Sequence, residues 1–278
     1  MKTVETISEI HQARKQLSGS VGLVPTMGFW HEGHLSLVRA AKAACDHVIV
    51  SIFVNPTQFA PNEDLDNYPR DLSKDLGMLE QAGVDLVWLP TSEIMYPSGY
   101  QTWVEVTELT QPLEGRMRPG HFRGVTTIVN KLFNGTSPDK AFFGRKDAQQ
   151  VAVIMQMTRD LNLPVEIIDV PISREEDGLA RSSRNVYLST EQRKVAVVLN
   201  QALLAAEKSF ESGERSGDIL RTIMQALINA EPLAKLEYVS CADRVTMQEL
   251  EEIKTGALLS MAVFFGKIRL IDNWILQD

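Results

Sequence analysis

The chain has little cysteine, no long hydrophobic run and no basic excess. Its 278 residues include two cysteines, Cys45 and Cys241, far apart and without the paired spacing of a zinc site or a disulfide framework. No apolar run approaches the roughly 20 residues needed to span a bilayer, and the opening MKTVETISEI has no apolar signal core. The expectation is a cytoplasmic protein with reduced thiols and no membrane partner. Lys and Arg number 28 against 36 Asp and Glu, a net charge of -8. That balance argues against a general nucleic-acid or anionic-membrane surface, since both reward a basic face. Any anion site must then be a local basic pocket. What the chain does have is a 44% hydrophobic share against 23% charged residues, enough to bury a sizeable core and to exclude global disorder.

Short apolar runs alternate with helical patterns through the first two thirds. VGLVP and HVIVSIF read as buried strands, with HLSLVRAAKAAC between them at helical period. This is a βαβ unit, which predicts a parallel sheet. DLSKDLGMLEQAG before VDLVWLP repeats the theme, as does HFRGVTTIVNKLFN before DKAFFG, and DAQQVAVIMQMTRDL leads into PVEIIDVPI. The polar, aperiodic SREEDGLARSSRNVYLST then reads as a functional hinge. After it come two helices, TEQRKVAVVLNQALLAAEKSFESG and SGDILRTIMQALINA, and three strand-like runs, KLEYVSCAD, GALLSMAVFFG and KIRLIDNW. The fold class is α/β, with a parallel-sheet domain over 1–173, a hinge over 174–189 and a smaller α+β domain over 190–278.

PTMGFWHEGH, Pro25 to His34, places two histidines three apart after the first apolar run. Zinc-protease helices use H-E-x-x-H, which sets both rings on one face four apart. HEGH is one residue short, its glycine disfavours a rigid helical platform, and no third ligand cluster stands out. The position favours a nucleotide instead. A strand feeding a helix puts this loop at the carboxyl edge of a parallel sheet, where open α/β sheets bind ligands. Backbone N–H groups at the helix start suit phosphate oxygens, and Gly28 and Gly33 bracket the turn.

Further stretches carry chemistry at the same edge. FVNPTQF offers the amides of Asn55 and Gln58 in a loop stiffened by Pro56. EGRMRPGHFRGV gathers Arg116, Arg118, His121 and Arg123 into a local anion site by charge, with a solvated loop as the alternative. FFGRKDAQQ sets Gly144, Lys146, Asp147 and Gln150 after a strand, and SSRN offers Ser182, Ser183, Arg184 and Asn185 together.

These stretches, with DLDNYPRDLSKD, stand in an order and spacing that resembles the pantothenate synthetase family, pantoate and β-alanine ligases of the HxGH nucleotidyltransferase-like superfamily. The resemblance implies a Rossmann-like N-terminal domain, a smaller C-terminal lid and a homodimer. It implies a two-step reaction in which pantoate and Mg-ATP give pantoyl adenylate and pyrophosphate, and β-alanine then displaces AMP to form pantothenate. By the same resemblance His31, His34 and Lys146 are catalytic. Met27, Gly28, His31, His34, Gly144, Lys146, Asp147, Ser182, Ser183 and Arg184 bind ATP. Pro25, Met27, Asn55, Gln58 and Gln150 bind pantoate, with Phe59 as an apolar wall, and Gln58 also meets β-alanine. Arg118 and His121 lie nearby and shape the site, and Asp75 helps hold Mg²⁺. Nucleic acid and membrane are not among the implied partners.

Four positions depart from the family's common pattern. Phe29 and Trp30 replace a smaller pair in PTMGALHEGH, Arg145 reverses the charge of FGEKD, and Arg181 stands where an apolar residue is frequent. Rival readings are another HxGH adenylyltransferase, for which FVNPTQF, GHFRGV and SSRN have no reason, and a tRNA synthetase, for which the acidic chain lacks a binding face. A nucleotide-binding regulator without ligase activity is the reading from another class, and retention of both histidines and Lys146 argues against it.

Overall fold

A computed structural model describes residues 1–61 and 63–277, so the last residue of the expected C-terminal domain lies outside them. The chain divides into two compact units, Met1–Arg145 with Gln150–Pro171, and Lys146–Gln149 with Ile172–Asp278.

The first unit is a parallel sheet of β1 (Lys2–Val4), β2 (Val21–Thr26), β3 (His47–Ile52), β4 (Leu86–Trp88), β5 (Lys140–Gly144) and β6 (Glu166–Val170), in the order β1-β4-β3-β2-β5-β6. Its helices are α1 (Ile7–Arg14), α2 (Glu32–Ala44), α3 (Leu72–Gln81), α4 (Ser92–Met95), α5 (Leu113–Met117), α6 (His121–Thr136) and α7 (Ala148–Asp160), the last beginning in residues that cluster with the second unit. β2 begins with four consecutive buried residues, as expected of a strand covered on both faces. Val24, Val48, Val50 and Val87 on the sheet close a core with Leu37, Val38 and Ala41 of α2 and Leu79 of α3. At the amino edge, aspartates take the leading amides: Asp46 accepts from the Ser20 N–H at 2.8 Å, Asp139 from Val21 at 2.7 Å and Asp85 from Val48 at 2.8 Å.

β2 is flanked by β3 on one side and β5 on the other, both parallel to it. The strand order therefore reverses between β2 and β5, which is where ligands bind in open α/β sheets. β1 and α1 were not expected from apolar periodicity. A three-residue edge strand is too short to show a period, and α1 is entered through a capping box in which Thr6 and Glu9 satisfy one another's backbone.

The second unit holds an antiparallel sheet of β7 (Ala234–Ala242), β8 (Ala257–Phe265) and β9 (Ile268–Leu276), with the helices α8 (Thr190–Val195), α9 (Val198–Glu211) and α10 (Gly217–Asn229). Leu199, Leu203, Phe210, Leu220 and Met224 of the helices bury against Cys241, Leu259, Met261 and Val263 of the sheet. Two expectations change here. The single helix expected from Thr190 is two, α8 and α9, separated at Ala196 and Val197. The segment expected as a hinge is built into this unit. Arg174 bridges to Ala180 and forks onto the buried Asp272 at 2.8 and 2.9 Å, while also donating to the carbonyls of Gly178 and Asn273.

Candidate active site

The HEGH turn is fixed from behind by a carboxylate. After β2 the chain passes Gly28 at φ +85° and Phe29 at φ +54°, two left-handed residues in succession. Phe29 is strained there, since only glycine adopts that region freely. Asp75, in the first turn of α3, accepts from the Phe29 N–H at 2.7 Å and the Trp30 N–H at 2.8 Å. Successive amides gathered on one anion form a nest. Asp75 is 2% exposed, and burial pushes its carboxyl above the usual range against the pull of the two amides. A Cβ at Gly28 would stand 3.0 Å from the Asp75 carboxylate and from Ile52, so glycine is required by space as well as by φ.

The turn delivers the histidines to the start of α2. His31 is the N-cap, its Nδ1 accepting from the Gly33 N–H at 3.1 Å. In the neutral ring the proton is therefore on Nε2, which remains a donor. The His31 and His34 rings lie 4.1 Å apart, tilted by 31°, and Trp30 lies 5.2 Å from His34. Trp30 is a core residue, and the Lys74 ammonium sits 5.9 Å over the Phe29 ring. The bulkier pair is thus accommodated without displacing the histidines from one another. Among the described residues, no group of three or more His, Cys, Asp and Glu is placed to hold a metal ion.

Gln58 ends the 3₁₀ turn Pro56–Gln58 beyond β3, and its Nε2 approaches Met27 Sδ at 3.4 Å. These two expected pantoate residues therefore share a place. Asn55 does something else. Its Oδ1 accepts from Thr57 Oγ1 at 2.9 Å, the Tyr96 hydroxyl at 2.8 Å and the Thr57 N–H, and its Nδ2 donates to Gln58 Oε1 at 3.0 Å and the Gly124 carbonyl at 3.1 Å. At 1% exposure with its amide engaged by these contacts, Asn55 orients Gln58 beside it. Burial pushes the Tyr96 hydroxyl up to about 12, so it stays a donor to Asn55.

Within EGRMRPGHFRGV, Arg118 and His121 are turned to internal partners. Arg118 forks onto Glu63 with Nε at 2.6 Å and Nη2 at 2.7 Å. Burial, with the Arg118 charge beside it, lowers His121 to about 4, so it is neutral at pH 7. Arg123 lies over the Trp103 ring at 5.0 Å. Glu63, Thr57 and Tyr96 were not singled out from sequence, and no local spacing links them to the motifs they serve.

Gly144 ends β5, and Gln150 lies half-buried near the start of α7. Arg145, whose charge was unexplained, donates from Nε to Asp169 on the neighbouring β6 at 2.7 Å. In the second unit, Lys146 Nζ lies 3.8 Å from Asp147, and the Lys146 carbonyl accepts from Asn273 Nδ2 at 2.8 Å. Ser182 caps the 3₁₀ segment Ser183–Tyr187 by accepting from the Arg184 N–H, and Ser183 is buried. Arg181 pairs with Glu175 at 3.0 Å. Within the first unit, a helix N-terminal turn with a histidine pair and an oriented amide donor can hold a nucleotide's phosphates and an acidic small molecule.

Comparison with known proteins bears on which molecule. Residues 1–275 match the family model described as pantoate-beta-alanine ligase. A pantothenate synthetase of Roseiflexus sp. (strain RS-1) is 58% identical over 277 residues, covering 100% of both chains. The crystal structure of pantothenate synthetase from Thermus thermophilus superposes with a TM-score of 0.94 at 46% identity, over 99% of each chain. The Francisella tularensis pantoate-beta-alanine ligase, solved with beta-gamma ATP and beta-alanine, gives 0.82 at 36% identity, over 99% of this chain and 97% of that one.

Proposed function

The chain belongs to the pantoate-beta-alanine ligase family, an ATP-using enzyme that joins pantoate to β-alanine, and we propose the residue roles by which it does so. The observation that carries them is the Asp75-held turn, which sets His31 and His34 together at the strand-order reversal of a parallel sheet. Met27, Gly28, His31, His34, Gly144, Lys146, Asp147, Ser182, Ser183 and Arg184 bind ATP. Pro25, Met27, Gln58 and Gln150 receive pantoate, and Gln58 also borders β-alanine.

In the first half-reaction a pantoate carboxylate oxygen attacks the α-phosphorus of ATP as the bond to pyrophosphate breaks. Negative charge grows on the phosphoryl oxygens and the departing pyrophosphate. In this reading His31, His34 and Lys146 are the donors that offset it, and one such donor is worth about 3 to 4 kcal/mol of barrier. The β-alanine amine then attacks the acyl carbon of the mixed anhydride, AMP leaves, and the nitrogen loses a proton as the amide forms. No protein nucleophile is needed, because activation resides in the anhydride and catalysis rests on alignment. A magnesium ion bound with ATP would supply charge neutralisation on the phosphates, held mainly by phosphate and water. The family resemblance further implies a cytoplasmic homodimer, which light scattering and cell fractionation test; no helix among the described residues is long and apolar enough to cross a membrane.

The test of these roles is pantoate-dependent exchange of labelled pyrophosphate into ATP without β-alanine. Exchange that requires pantoate, and that falls at least a hundredfold in His34→Ala and Lys146→Ala, supports them. Near-normal exchange in either folded variant removes that residue from the catalytic set.

A further inference from the structure

We propose that His121 is a positioning residue for pantoate, acting through the backbone of Gln58. The inference rests on the reading of Gln58 as a pantoate contact. His121 is the first residue of α6, and both its ring nitrogens are engaged. Arg118 Nη1 lies 3.1 Å from Nε2, and Arg118 has only donors, so Nε2 is the acceptor. The ring hydrogen is then on Nδ1, which donates to the Gln58 carbonyl at 2.8 Å. Arg118 Nη2 reaches the same carbonyl at 3.4 Å. Glu63 holds the guanidinium in plane through its two short contacts with Nε and Nη2.

Gln58 is thereby held at both ends. His121 and Arg118 fix its backbone, and Asn55 fixes its side chain by donating to Oε1. With Oε1 engaged, the amide turns its hydrogens toward Met27 and the ligand side. Gln58 therefore presents its amide hydrogens as donors, and the pantoate atom that meets them is an acceptor oxygen of the carboxylate or a hydroxyl. His121 spends both ring nitrogens on Arg118 and the Gln58 carbonyl, so its effect passes through Gln58.

Three substitutions separate positioning from packing. His121→Asn keeps a donor near the place of Nδ1, His121→Gln moves its amide to the place of Nε2, and His121→Leu removes both. We expect pantoate KM to rise about tenfold in the Gln and Leu variants, the worth of one net hydrogen bond. It should stay within about threefold of the parent in the Asn variant, with kcat and ATP KM near parent values throughout. An equal loss in all three, or an unchanged pantoate KM in folded His121→Gln, overturns the proposal. Gln58→Ala is the control on the underlying reading. If it leaves pantoate KM unmoved, the Gln58 assignment fails; if it raises KM while His121→Gln does not, only the positioning role fails. Where a His121 variant does not fold, Glu63→Gln gives the same readout by loosening Arg118. A selective rise in pantoate KM supports the clasp, and an unchanged value overturns it.

Discussion

Arg145 and Arg181 each answer an acidic residue of this chain. Arg145 meets Asp169 across adjacent strands, and Arg181 meets Glu175 within one loop while donating to the Arg174 carbonyl at 3.3 Å. Both pairs are about a third exposed, so each is worth under about 1 kcal/mol. Arg145→Glu should lower Tm by a few degrees at most, through repulsion with Asp169, and leave pyrophosphate exchange unchanged. A large loss of exchange in that variant would give position 145 a part in the chemistry. His121 makes a sharper case because it is buried. Its folded value of about 4 lies below the ordinary 6.5, so between those values the unfolded chain binds more protons. Stability therefore rises with pH across this window and is lost on acidification, by about 3 kcal/mol for this group. Arg118, Glu63 and Glu114 are the charges acting on it, and Asn at position 121 leaves them in place. Urea midpoints at pH 7, 5 and 4 should fall more steeply in the parent than in His121→Asn; parallel slopes would show that His121 does not titrate in this way.

At the scale of elements, the contact that matters most for the site is between α6 and the turn Pro56–Gln58. A Cβ on Gly124 would lie 2.5 Å from the Thr57 carbonyl oxygen and 2.7 Å from the Gln58 nitrogen. These are backbone atoms, which cannot rotate away. Alanine is ordinarily better than glycine inside a helix by about 1 kcal/mol, but overpacking costs about 1 to 3 kcal/mol or more, and here it decides the sign. Gly124→Ala should destabilise the protein by about 2 kcal/mol and raise pantoate KM, read by urea unfolding and steady-state kinetics. A stabilised variant with unchanged KM would mean that α6 stands off the turn. The same contact shows what a sequence reveals. The strands and helices of the alternating region announce themselves because their apolar periods are local, and HEGH does so because its parts are consecutive. EGRMRPGHFRGV read as uniformly basic because Glu63, which pairs with Arg118, lies 55 residues away in the chain. The turn-holding role of Asp75 was hidden for the same reason, since the amides it serves lie 45 and 46 residues earlier.

For the molecule as a whole, the decisive feature is that each unit has its own core. Val24, Val48 and Leu79 belong to one, and Leu203, Leu220 and Leu259 to the other. The second unit also encloses the Arg174–Asp272 pair, with the carboxylate residue 2% exposed. Burial pushes the Asp272 carboxyl up, and the Arg174 hydrogen bonds oppose it. Removing one partner leaves the other charge buried alone, at a cost of about 3 to 5 kcal/mol, whereas replacing both with apolar residues is often neutral. Asp272→Ala should therefore lose several kcal/mol, and Arg174→Met with Asp272→Leu should recover most of it. Because the pair lies within one core, hydrogen exchange of Asp272→Ala should quicken across residues 172–277 while β2, β3 and β5 keep their protection. Equal quickening in those strands would mean that the two cores unfold as a single cooperative body, and the stability of the histidine turn would then depend on Asp272 as well as on Asp75.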